Sequence, residues 1–111
     1  MFRKRNKILP TLYCSYPIKE KYVDEMINFY NSKEGFEFTK KQNGFISCEW
    51  FVAKNMESKD CFYSWQQWQK KSDYHFYMAL PERSDGSWFM SILSSGLDGD
   101  FVEIWGDGKI V

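Results

Sequence analysis

His75 is the chain's one histidine, and in the run Tyr74-His75-Phe76-Tyr77-Met78 strand alternation would put its ring on the same face as Tyr77. A catalytic role would need a partner nucleophile or carboxylate that sequence cannot place beside it, so a partly buried or solvent-facing strand histidine is expected. Cys14, Cys48 and Cys61 each lie in an apolar context, whereas a reactive thiolate needs an electropositive, accessible setting; structural cysteines are expected. Asp98-Gly99-Asp100 resembles the opening of a carboxylate cation loop, but the further oxygen ligands and closing Glu do not follow. Gly106-Asp107-Gly108 runs into Lys109-Ile110-Val111 instead of a Lys-Ser/Thr and a helix, which makes it a turn formula and not a phosphate loop. No metal or cofactor is therefore expected, and the census of reactive side chains predicts a protein that is not an enzyme.

The elements that must carry these residues follow from periodicity. Pro17 suits the first turn of a helix, and Ile18, Tyr22, Val23, Met26, Ile27 and Tyr30 recur at three-to-four-residue spacing, which predicts an amphipathic helix over residues 17–32, ended near Gly35. Phe36 and Phe38 on one side and Phe45 to Val52 on the other flank an Asn43-Gly44 pair, which predicts a β-hairpin. Cys61, Phe62, Trp65 and Trp68 recur at helical spacing behind Ser58, which favours a short second helix over residues 58–71, a strand being the alternative. Tyr74–Leu80, Trp88–Ser94 and Phe101–Trp105 are β-rich runs separated by turn residues, which predicts a three-stranded C-terminal meander, with a short edge strand over residues 109–111. The fold class expected is α+β: one globular domain over residues 1–111, its antiparallel sheet built from the hairpin and the meander and packed with the two helices.

The chain has 111 residues, 43% of them hydrophobic and 20% aromatic, so a small core must be filled largely by rings. Its formal net charge is zero, which argues against a protein dominated by phosphate contacts. The balance conceals a split: Arg3, Lys4, Arg5 and Lys7 open the chain without an acid, while residues 73–111 hold seven acids against Arg83 and Lys109. A one-signed face steers an oppositely charged partner, and Glu82, Asp85, Asp98, Asp100 and Asp107 fall in or beside the turns of the expected meander. Alternation of turns between the two ends of a meander would gather Glu82, Asp85 and Asp107 at one end and leave Asp98 and Asp100 at the other. Trp105 and the Trp65/Trp68 pair are the candidate interface anchors, because buried aromatics hold complexes together more than rim charges do. Three cysteines cannot all pair within one chain, no apolar region of signal length follows the basic start, and no apolar run approaches a membrane span; a cytoplasmic protein without a disulfide is expected.

In size, aromatic richness, cysteine usage and mixed topology the chain resembles the immunity proteins of bacterial contact-dependent growth inhibition and other polymorphic toxin systems. That resemblance implies a small protein-binding inhibitor whose partner is a cognate protein toxin, often a nuclease, with the acidic turns and exposed tryptophans as its surface. The readings from other classes are a phage-type anti-defence inhibitor, a small enzyme using His75 with a carboxylate, and a nucleic-acid-binding module using Arg3, Lys4, Arg5 and exposed aromatics.

Overall fold

A computed structural model describes residues 8–109. The basic stretch at residues 1–7 and the last two residues of the expected edge strand lie outside the described residues. Strand β1 (Ile8–Pro17) opens the structure, a short 3-10 turn (Glu20–Tyr22) leads into α1 (Val23–Asn31), and a five-residue helix α2 (Phe36–Lys40) follows. Strands β2 (Phe45–Lys54) and β3 (Asp60–Trp68) come next, then α3 (Lys71–Met78), α4 (Trp88–Gly96) and strand β4 (Val102–Lys109).

The four strands form one antiparallel sheet in the order β2-β3-β1-β4. The amphipathic helix begins later than its spacing suggests. Pro17 closes β1, Ile18 bridges to Leu97, and helical hydrogen bonding starts at Val23. Of the expected stripe, Ile18, Met26 and Tyr30 are buried, Tyr22, Val23 and Ile27 are half-buried, and Phe29 joins them in the core. The hairpin also shifts by one element. Phe36 and Phe38 belong to α2, while β2 pairs with β3 through a turn in which Asn55 Oδ1 accepts the Glu57 and Lys59 N–H groups, at 2.9 and 3.0 Å. The Asn43-Gly44 signal marks the entry to β2 instead, where Gly44 has φ +84° and lies so close to the Asp73 carboxylate that a Cβ would collide with it.

Residues 58–71 are a strand, not a helix, and alternation explains the aromatic run: Phe62, Ser64 and Trp68 face the helices, while Trp65 faces solvent. The meander does not exist. Tyr74–Leu80 and Trp88–Ser94 coil as α3 and α4, because Tyr74 and Tyr77 bury one helical face and Ser87 caps α4 by accepting the Met90 N–H at 3.2 Å. The β preference of aromatic residues reflects packing on a sheet, and here the rings pack from helices. β4 is the one strand of the three expected, and it continues through Gly106-Asp107-Gly108 to Lys109 because that segment pairs with Ile8–Thr11 of β1.

The result is a single α+β domain with helices on one face of the sheet. Two neighbouring groups of buried residues fill the space between: Ile18, Met26, Phe29, Phe62 and Leu93 in one, Leu12, Cys14, Trp68, Tyr74 and Tyr77 in the other. On the opposite face Phe51, Trp65, Val102 and Ile104 are exposed.

Candidate active site

Between the sheet and the helices lies a cavity of about 260 Å³. Its walls are mostly apolar and aromatic, with Tyr30 stacked on Phe62 at 4.4 Å and on Phe36 at 4.7 Å. Apolar and aromatic walls with a few polar atoms among them suit a small, largely apolar molecule.

The sheet wall carries a carboxylate. β1 and β4 pair so that Glu103 stands opposite Cys14, and strand alternation turns both toward the helices with Tyr16 one step along β1. Glu103 Oε2 accepts a hydrogen bond from the Tyr16 hydroxyl at 3.1 Å and a weak one from Cys14 Sγ at 3.8 Å. Burial holds the Tyr16 phenol far above its ordinary range, with the neighbouring Cys14 and Glu103 adding to the shift. Burial likewise raises Tyr74, seconded by the Glu103 charge, and pushes the Cys14 thiol up to about 11. The Tyr16 hydroxyl and the Cys14 thiol thus keep their protons and donate them to the carboxylate of Glu103, which is itself exposed on β4.

The helical wall carries a guanidinium. Arg83, in the segment between α3 and α4, is 2% exposed and packs against the Phe38 and Phe89 rings at 4.8 and 5.0 Å. Its Nε donates to the Tyr77 hydroxyl at 2.5 Å, and Nη2 to the carbonyls of Glu34 and Gly35 at 2.7 and 3.0 Å. Tyr77 in turn shares a 2.7 Å hydrogen bond with Thr39.

The residues expected to form a binding surface are dispersed. Glu82 and Asp85 are exposed between two helices and not in a strand turn shared with Asp107, which is exposed on β4 opposite Pro10. Asp98 is half-buried, its carbonyl accepting from Lys59 Nζ at 3.0 Å, and Asp100 is exposed. Trp65 and Trp68 are on opposite sheet faces. Trp105 is half-buried, 5.2 Å from the Tyr74 ring, with Lys71 Nζ over it. His75 is exposed on α3 and does not line the cavity. In the sequence Arg83 reads only as one of two bases and Glu103 only as one of seven acids over residues 73–111; the signal for Glu103 was an acid at an inward position of the alternating run Val102-Glu103-Ile104-Trp105.

The βαββαβ order with its 2-3-1-4 antiparallel sheet defines the ferredoxin-like class of α+β proteins. Within it the chain is similar to several solved structures. An antibiotic biosynthesis monooxygenase aligns over 90% of this chain and 98% of its own, with a TM-score of 0.69 and 13% identity. A monooxygenase from the gene ActVA-Orf6 of Streptomyces coelicolor, solved in complex with the ligand nanaomycin D, aligns over 96% of this chain and 91% of its own, with a TM-score of 0.69 and 15% identity. An anthrone oxidase-like protein aligns over 96% of this chain and 46% of its own, with a TM-score of 0.71 and 15% identity. Likeness at these identities establishes the fold. No family profile and no curated protein matches the sequence.

These findings correct the functional expectation. The resemblance to toxin immunity proteins rested on size, composition and mixed topology, which many small α+β domains share, whereas the fold is held in common with structures named as monooxygenases. With it go the protein-toxin partner, the inhibitor role and the expectation that the chain is not an enzyme. That last expectation weighed motifs adjacent in sequence, whereas the carboxylate and its donors meet only through strand pairing. No helix among the described residues is long and apolar enough to cross a membrane.

Proposed function

We propose that the cavity binds a flat, oxygen-bearing aromatic molecule and that Glu103 removes a proton from it so that molecular oxygen can oxidise it. The observation that carries this reading is the Glu103 carboxylate, set in the wall of an aromatic-lined cavity with the Tyr16 hydroxyl orienting it at 3.1 Å. The names of the monooxygenase-like structures of the same fold support it. In the reaction class proposed, the base takes a proton from a ring-activated CH2 and the resulting carbanion gives its electrons to O2. One oxygen atom stays on carbon as a carbonyl and the other leaves as water, so CH2 plus O2 becomes C=O plus H2O. The whole chain acts as one catalytic domain in the cytoplasm, a placement supported by three free thiols, Cys14, Cys48 and Cys61.

The test is oxygen uptake by 1,8-dihydroxyanthrone, corrected for its oxidation in buffer, together with quenching of protein fluorescence by 1,8-dihydroxyanthraquinone. Turnover above buffer that falls about 100-fold in Glu103→Gln is the expected result. No quenching and no turnover above buffer would refute the reading.

A further inference from the structure

Arg83 is a buried cation that no carboxylate among the described residues contacts within ion-pair distance. Its hydrogen-bond acceptors are the carbonyls of Glu34, Gly35 and Glu82 and the hydroxyls of Tyr77 and Thr39, all of them neutral. No ion pair among the described residues includes it. A guanidinium has five N–H groups and stays charged at any physiological pH. Nε uses its one and Nη2 has three acceptors for its two, but Nη1 has a single acceptor, the Glu82 carbonyl at 3.1 Å, which leaves one N–H of a 2%-exposed group without an acceptor among the described residues. Burying a cation without a counter-charge is costly unless something offsets it, and the rings around it do so only in part.

Resting on the reading of the cavity as an aromatic site, we infer that Arg83 is the anchor for an acidic group of the ligand, a carboxylate carried on the aromatic skeleton. Two hollows meet at Arg83. The outer one also takes in Glu34 and Glu82, which repel an anion, against the single Lys33. Among the described residues Glu103 is the one acid that lines the cavity between sheet and helices; it belongs to the sheet wall with its own donors and shares no hydrogen-bond partner with Arg83. A ligand bound there satisfies both groups in one orientation, its carboxylate on the guanidinium and its ionisable C–H or O–H toward Glu103. The Arg83–carboxylate contact is charge-assisted and forms where water is largely excluded, so it discriminates strongly against a ligand lacking the acid.

The experiment compares two probes of one skeleton by fluorescence quenching: 1,8-dihydroxyanthraquinone and its 3-carboxylate. Wild-type protein is expected to bind the carboxylate at least 10-fold more tightly, and Arg83→Met to bind the two about equally. Equal affinities in the wild type, or a preference that persists in folded Arg83→Met, would overturn the anchor while leaving the aromatic site standing. Binding of neither probe refutes the site itself, so the two failures are distinct. Because Arg83 also ties down the Glu34 and Gly35 carbonyls, Arg83→Lys is the companion variant: it keeps the charge, loses the planar fork, and should cut the preference to about threefold or less. An undiminished preference in Arg83→Lys would count against the anchor as well.

Discussion

The Tyr16 hydroxyl reaches across the β1/β4 ladder to donate to Glu103 Oε2 at 3.1 Å, a diagonal contact between strands whose residues are 87 positions apart. Removing it separates orientation from proton acceptance. Tyr16→Phe keeps the ring, which stacks on Phe62 at 6.2 Å, and deletes only the donor. Its expected effect is a fall in turnover of about 10-fold with the affinity for 1,8-dihydroxyanthraquinone within about twofold of wild type, read by oxygen uptake and fluorescence titration. Turnover equal to wild type would remove Tyr16 from the site.

Gly35 is a point of close approach. A Cβ there would lie 2.3 Å from the Phe29 carbonyl oxygen and 2.6 Å from that of Tyr30, both backbone atoms that cannot swing aside. Gly35→Ala should therefore lower stability by about 1–3 kcal/mol in denaturant titration. Because Arg83 bonds the Gly35 carbonyl, the same variant should also weaken the carboxylate preference.

Trp65 and Trp68 test the face assignment of β3. Trp68 is fully buried against Tyr74 and Tyr77, while Trp65 is 43% exposed on the other side of the sheet. Trp68→Ala should cost about 3–5 kcal/mol and Trp65→Ala about 1 kcal/mol or less, measured as shifts of the urea midpoint. Comparable losses in the two variants would mean that the outer face is covered.

The thiols of buried Cys14 and half-buried Cys48 give a pH dependence with a definite sign. Burial, the largest cause for both, pushes Cys14 up to about 11 and Cys48 to about 12, whereas an unfolded chain ionises its thiols near 9. Between those values the unfolded state has lost protons that the folded state retains, so folding stability is fully present below about pH 9 and declines as pH rises through 11. Cys14→Ala should flatten that decline by about 1–3 kcal/mol in urea titrations at pH 8 and pH 11. An identical slope in the variant would place the alkaline loss elsewhere, for instance at the buried Tyr30 and Tyr74 phenols, which burial also raises.

Much of the class was legible in the order of the residues. Mixed periodicity announced an α+β domain, the Met26/Tyr30 spacing marked the buried stripe of α1, and the alternating run from Phe101 to Trp105 marked β4. Length and ring content required an aromatic core, because the hydrophobic effect acts on area whatever element presents it. The runs at residues 58–71, 74–80 and 88–94 were not decidable locally. Short aromatic segments fit both a strand and a helix, and the choice depends on which face finds a partner: Trp68 inward from the sheet, Tyr74 and Tyr77 inward from α3. The candidate site was less legible still. Cys14, Tyr16 and Glu103 are remote in sequence and meet only because β4 returns to the edge of β1, and Arg83 becomes a buried cation only because α2 and α3 close over it. Composition and periodicity are sums over neighbours in the chain, so they determined the kind of domain; tertiary structure alone decided which charges leave water, because desolvation depends on what packs around a group and not on what precedes it.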